Sequence, residues 1–317
     1  MSTTKGTHEF VADPRNDSIL ISLNGRLVPR PDAMVSVFDS GFVLGDGVWE
    51  GMRLVGGGIP FLRAHIERLY EGARAIYMDI GLSPDELVAR LFACIDANRM
   101  TDGVHIRLMV TRGVKATPYQ DPRLTIGPPT VVIIPEYKNP RPEIIAAGLR
   151  LYTVNVRRGP PDVQDPKLNS HSKLNCIAAC IQAFSAGADE ALMLDPHGFV
   201  ATCNSTHFFI VRRGELWTST GQYCIPGITR ANVLRVARDN GIPAFEKPFS
   251  LYDVYGADEA FVTGTFAGCV PVREIDGRKL GHPLAPAGEW QGSGPVTARL
   301  SSLYKELCAR EKTRSLA

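Results

Sequence analysis

The chain has 317 residues, 44% of them hydrophobic, which is enough apolar material for two cores of ordinary size and too much for a disordered chain. Its 35 Lys plus Arg nearly cancel 33 Asp plus Glu, so no basic field gathers nucleic acid or an anionic membrane, and a small-molecule ligand is the default expectation. No apolar run approaches bilayer length and residues 1–17 form a polar extension without the apolar core of a signal peptide, so a cytoplasmic location is expected.

Residues 19–23, the Asn24-Gly25 turn and residues 26–28 predict a β-hairpin. A glycine-rich passage, Asp39 to Gly47, implies backbone brought close to a neighbour, and a strand follows over 48–55. Leu62, Ile66, Leu69, Ala73 and Ile76 recur at helical spacing, and Ser83-Pro-Asp-Glu86 is a capping box opening a second helix to about Asn98. Strands over 104–111 and 130–135 complete a small α+β domain, residues 18–137, and the proline-rich stretch that starts at Lys138 predicts a linker, residues 138–147. The larger domain, 148–317, alternates strands (149–156, 190–195, 208–211, 260–263) with helices (174–186, 228–240, 296–311) and a turn at His197-Gly198. Seven cysteines, at 94, 176, 180, 203, 224, 269 and 308, include no C-x-x-C pair and no His at ligand spacing, so they are expected to be reduced, with no metal site.

Three features point to an anion. Pro226-Gly227-Ile228-Thr229-Arg230 puts a glycine and a hydroxyl at a helix start, where free N–H groups and the helix dipole attract phosphate. Thr263-Gly264-Thr265-Phe266-Ala267-Gly268 follows a strand with small residues and hydroxyls, as a second backbone cup would. Arg68, in His65-Ile-Glu-Arg68-Leu69, is a third candidate.

These pieces and their order resemble the class IV aminotransferases from about Ile19 to about Leu307. The matching segments are Phe38-Asp-Ser-Gly-Phe-Val-Leu-Gly-Asp-Gly-Val-Trp-Glu-Gly-Met-Arg53, His65-x-x-Arg68-Leu69, Gly187-Ala-Asp-Glu-Ala191, Pro226-Gly-Ile-Thr-Arg230 and Thr263-Gly-Thr265. The resemblance, which extends to branched-chain and D-amino-acid aminotransferases, implies fold type IV: a small N-terminal α+β domain and a larger C-terminal domain with a mixed, barrel-like sheet. It also implies a homodimer with pyridoxal 5′-phosphate at the domain interface. By the same resemblance Arg68, Gly227, Ile228, Thr229, Gly264 and Thr265 hold the cofactor phosphate, while Trp49 and Arg107 face substrate; the aromatic Phe266 beside the second cup is a further substrate-facing candidate.

Two positions depart from the family. The lysine that forms the Schiff base falls on Asn169 in an ungapped comparison, with Lys167 two residues before and Lys173 four after. A shift of four residues is about one helical turn and returns a side chain to the same face, which favours Lys173 over Lys167. The family's glutamate against the pyridine nitrogen falls on Thr202 and its downstream asparagine on His207; a hydroxyl can hydrogen-bond that nitrogen but cannot stabilise its protonated form as a carboxylate does. The expected activity is transamination between an amino donor and a 2-oxo acid, with Trp49 and Phe266 forming an apolar wall. An elimination reaction of the aminodeoxychorismate-lyase kind and a catalytically silent phospholigand-binding protein are the alternatives.

Overall fold

The structure is a computed structural model that describes residues 6–8, 11–281 and 293–316. Contacts divide it into two compact units, one holding residues 11–139, 168–173 and 308–316, the other 6–8, 140–167, 174–281 and 293–307.

The first unit begins with a 3-10 turn over Pro14–Ser18. Within the polar extension, buried Asn16 exchanges hydrogen bonds with the Tyr137 backbone, Nδ2 donating to the carbonyl (2.9 Å) and Oδ1 accepting from the amide (2.8 Å). The strands and helices follow as β1 (Leu20–Leu23), β2 (Arg26–Pro29), α1 (Ser40–Leu44), β3 (Gly47–Leu54), β4 (Ile59–Pro60), α2 (Leu62–Ala75), α3 (Pro84–Ala97), β5 (Val104–Thr111) and β6 (Thr130–Tyr137). Asn24 (φ 51°) and Gly25 (φ 82°) take the left-handed pair that a two-residue hairpin needs to match the strand twist. The sheet is antiparallel in the order β2-β1-β6-β5-β3. Helices α2 and α3 lay Leu62, Ile66 and Leu69 and then Leu87, Leu91 and Ile95 on Met52, Leu54, Ile106, Leu108 and Ile133 of that sheet.

The glycine-rich passage folds as α1, started by Asp39 Oδ1 accepting from the Gly41 amide (2.8 Å) and closed by Gly45 in the left-handed region. Its close approach is real: a Cβ on Gly47 would lie 2.5 Å from the Val110 carbonyl and 3.0 Å from the His171 ring.

The second unit contains α4 (Pro142–Ala147), β7 (Leu149–Thr153), α5 (Pro161–Gln164), α6 (Leu174–Ser185), β8 (Glu190–Leu194), β9 (Val200–Cys203), β10 (His207–Arg212), β11 (Glu215–Thr218), α7 (Ile228–Asp239), β12 (Ala244–Glu246), α8 (Leu251–Tyr255), β13 (Glu259–Gly264), β14 (Gly268–Ile275), β15 (Arg278–Lys279) and α9 (Pro295–Arg310). Helix α4 lies inside the segment expected to be a linker, because Pro142 suits the first helical position and Ile144 buries itself against the neighbouring core. The sheet runs β12-β11-β10-β13-β14-β7-β8-β9, with β15 added on β14. It is mixed, parallel at β11–β12, β14–β7 and β7–β8 and antiparallel elsewhere. In the first unit a final strand, β16 (Lys312–Thr313), pairs with β4. Among the described residues no helix is long and apolar enough to cross a membrane.

Candidate active site

In the first unit the chemistry gathers on the edge strand β3. Its burial alternates, so Val48, Glu50, Met52 and Leu54 face the core while Trp49 points to the other face. Residues 169–171 run along this edge: the Trp49 amide donates to the Asn169 carbonyl (3.1 Å), Trp49 Nε1 to the Ser170 carbonyl (3.1 Å), and the His171 amide to the Gly47 carbonyl (3.0 Å). Arg107, diagonal to Trp49 across β3–β5, sets its guanidinium 4.3 Å from the indole centroid. The Lys173 ammonium is 5.3 Å from the same ring and donates to Asn169 Oδ1 at 3.1 Å. Burial first, then the charges of Lys173 and Arg107, hold the His171 imidazole below its ordinary pKa, against the opposing pull of the Val48 carbonyl and Asp39. The structure thus brings Trp49, Arg107 and Lys173 together.

Arg68 lies on α2, three residues after His65, so both reach one face of the helix and meet Glu50 from β3. Glu50 Oε1 accepts from Arg68 Nε and Oε2 from Nη2, each at 2.7 Å, and Oε2 lies 2.6 Å from His65 Nδ1. Burial alone would raise the Glu50 pKa, but the Arg68 charge and the bonds from His65 and Arg68 win and hold it low.

In the second unit the two glycine-bearing turns converge. Helix α7 starts at Ile228 with Gly227 as its N-cap and no side chain capping it, which leaves first-turn N–H groups directed outward. Thr265 and Phe266 form the β13–β14 turn that closes at Gly268 (φ 68°). Tyr304 of α9 ties the two together: its hydroxyl donates to Thr229 Oγ1 (3.2 Å), and a Cβ on Gly268 would rest 3.5 Å from its ring. His207, paired with Thr263 across β10–β13, packs against Gly227, where a Cβ would come within 2.2 Å of the ring, and its Nε2 is 2.9 Å from the Ile225 carbonyl. The buried Thr263 hydroxyl has no hydrogen-bond partner among the described residues. Phe266 is buried and stacks on His8, with ring centroids 4.8 Å apart.

Thr202 is joined to this group through the β9–β10 turn. Its hydroxyl donates to the Thr206 carbonyl (2.8 Å), and the Thr206 hydroxyl donates to Glu190 Oε1 (2.7 Å), which also accepts from the Ser205 hydroxyl (2.8 Å). Glu190 is buried, its Oε2 without a hydrogen-bond partner among the described residues, and burial outweighs the hydroxyl and amide bonds to raise its pKa. A raised folded pKa means stability is complete below the unfolded value and is lost as pH climbs through the folded one. Glu190→Gln removes that titration, so the variant should gain on the parent as pH rises above the ordinary carboxyl value of 4.5, as urea unfolding at each pH will read.

Lys167 is not part of either group: it is exposed, and its amide is taken by Asp165 Oδ1 (2.9 Å) in a turn. Lys173 is half-buried and immediately precedes α6; residues 169–173 are not helical, so the one-turn spacing expected there is not what brings its Nζ to Asn169. Thr206 and Tyr304 belong to the candidate site without any spacing that reveals them, since each meets its partners from a distant element, whereas Glu50 carried a signal, being inside the Phe38–Arg53 segment. Glu190 carried a signal, being inside the Gly187–Ala191 motif.

A family model described as class IV amino-transferase matches residues 47–275. A Methanocaldococcus jannaschii relative, named provisionally as a branched-chain-amino-acid aminotransferase, is 41% identical over 289 residues, covering 90% of this chain and 96% of its own. Branched-chain-amino-acid aminotransferase-like protein 2 of Arabidopsis thaliana is 36% identical over 93% of this chain, which spans 51% of that longer protein. Among solved structures, a branched-chain amino acid aminotransferase complexed with N-(5′-phosphopyridoxyl)-L-glutamate superposes with a TM-score of 0.82 at 31% identity, covering 92% of this chain and 95% of that one. The branched-chain aminotransferase of the archaeon Thermoproteus uzoniensis, solved with norvaline, superposes with a TM-score of 0.81, also at 31% identity, covering 93% of this chain and 96% of its own.

Proposed function

Because the chain belongs to the class IV aminotransferase family, we propose that it is a pyridoxal-phosphate-dependent transaminase that moves an amino group between an amino acid or amine and a 2-oxo acid, with branched-chain-type substrates. The residues present fit the cofactor. The uncapped start of α7 offers N–H groups to a phosphate, and beside the Gly264-Thr265 turn the buried Thr263 hydroxyl lacks a partner among the described residues.

When bound, the cofactor supplies an aldehyde that takes up the amino nitrogen and a ring that accepts the electrons left when a bond to the α-carbon breaks. Arg68, Ile228, Thr229 and the backbone at Gly227, Gly264 and Thr265 are the phosphate ligands of this reading. Thr202 and His207 serve the ring side. The Thr202 hydroxyl acts there as an acceptor, because its proton is already given to Thr206. Lys173 takes the proton from the donor α-carbon and returns it. Arg107 attracts the substrate carboxylate, and Trp49 with Phe266 forms an apolar wall for an aliphatic side chain.

One observation carries the assignment of the amine: the Lys173 Nζ sits 3.1 Å from the side-chain oxygen of Asn169, so its stem folds back and presents nitrogen beside the Asn169 side chain. A homodimer is part of the same reading, supported by Leu174, Ile177, Ile181 and Phe184, an exposed apolar stripe at helical spacing along α6. A cytoplasmic setting suits seven cysteines with no disulfide among the described residues.

The test is a single turnover of protein loaded with pyridoxal phosphate and mixed with leucine, valine, alanine in both hands or an amine. Transamination leaves pyridoxamine phosphate, read by the loss of aldehyde absorbance, and a 2-oxo acid then restores it. A spectrum that returns unaided with an unsaturated product establishes the elimination reaction instead, and one that no donor changes establishes a silent binder.

A further inference from the structure

We propose that Asn169 is a positioning residue that holds the Lys173 amine in place; this rests on the assignment of Lys173 as the reacting amine. The two hydrogen bonds of the Asn169 side chain fix its orientation without ambiguity. The Trp49 carbonyl only accepts, so the atom 2.6 Å from it is the Nδ2 amide; an ammonium only donates, so the atom 3.1 Å from Lys173 Nζ is the oxygen. The amide is therefore anchored at one end to the backbone of β3 and at the other to the lysine tip.

The anchor itself is rigid. Asn169 is buried, and its own backbone carbonyl accepts from the Trp49 amide while Ser170 pairs with Val48, so residues 169–171 are laced to the edge of β3. Lys173 by contrast has a four-carbon stem with several rotatable bonds and is half-buried, so its tip needs a fixed acceptor to stay on the indole of Trp49. A neutral acceptor suits an amine that must exist unprotonated during the reaction. A carboxylate at the same place would bind the ammonium form far more tightly.

The purely structural alternative is that Asn169 fastens the 169–171 segment to β3 and that its contact with Lys173 is incidental. The two are separated by titrating Lys173 alone, through pH-dependent trace acetylation of the folded protein without cofactor, read peptide by peptide by mass spectrometry. Asn169→Asp should cut acetylation of Lys173 at mildly alkaline pH about tenfold, the effect of an opposite charge within a few ångströms. Asn169→Ala should raise it, because an acceptor that favours the charged form is gone. Opposite displacements at Lys173, with the other lysine peptides unmoved, support positioning; a Lys173 profile equal to the parent's in Asn169→Asp overturns it, whatever happens to stability. Asn169→Asp keeps the side-chain size, so the test survives if the alanine variant does not fold. In the loaded enzyme Asn169→Ala should lower kcat with KM little changed, and a change in KM alone counts against the proposal. Should Lys173→Ala retain turnover while the acetylation displacements appear, the amine assignment falls and the positioning contact stands.

Discussion

Lys173→Ala is expected to lose turnover by a factor on the order of 10² to 10⁴ while remaining folded, the range that removal of a positioned proton-transfer group produces. The stability cost should be small, about 1 kcal/mol, because the ammonium is half-buried and its hydrogen bond to Asn169 goes to a neutral oxygen rather than to a buried carboxylate. Lys167→Ala should keep full activity, since that side chain is exposed on a turn whose bond to Asp165 is made by the backbone amide and survives truncation. Borohydride treatment of loaded protein provides the second readout: a pyridoxyl group should be fixed to the peptide carrying Lys173 in the parent and in Lys167→Ala, and to no lysine of Lys173→Ala. Turnover that survives in Lys173→Ala and vanishes in Lys167→Ala would transfer the role to the other lysine.

Much of the fold was legible because its elements are long or carry strong end signals. The capping box at Ser83 appears with both of its reciprocal bonds, and Asn24-Gly25 makes the expected turn. What escaped was short or contrary to the usual rules. Helix α1 has five residues, too few for a hydrophobic period, and exists through its Asp39 cap and Gly45 stop. Strand β14 contains Pro271, which ordinarily argues against a strand inside a sheet. Pro271 is paired with Phe261 of β13, while pairing with β7 begins only at Val272. The site divides in the same way. The Gly227–Thr229 and Gly264–Thr265 turns announce themselves by composition, whereas the meeting of Lys173 with Asn169 does not come from a helical turn, since α6 begins only at Leu174. The Tyr304 tie and the Thr206 link from Thr202 to Glu190 are tertiary meetings of separate strands and helices, and no local spacing encodes them.

The largest loss of stability is expected at Glu50. Its carboxylate is buried, and it receives both the Nε and Nη2 of Arg68 and meets the ring nitrogen of His65. Glu50→Ala would take this carboxylate away from a largely buried guanidinium, a change that costs about 3–5 kcal/mol when one partner of a buried pair is removed. Glu50→Gln keeps the shape and one acceptor, so it should fall between the alanine variant and the parent. The pH dependence identifies the cause. The folded Glu50 pKa is held below its ordinary value of 4.5, so its contribution is present above that value and is lost as pH falls through the folded one. The gap in unfolding free energy between the parent and Glu50→Gln, measured in urea, should therefore be full near neutrality and shrink steadily in acid. A gap that stays constant with pH would mean that packing, not the ion pair with Arg68, is what Glu50 supplies. Because the same carboxylate holds two of the Arg68 donors, both variants should also bind inorganic phosphate and pyridoxal phosphate more weakly if Arg68 is a phosphate ligand, and unchanged affinity in a folded Glu50→Gln would remove Arg68 from that role.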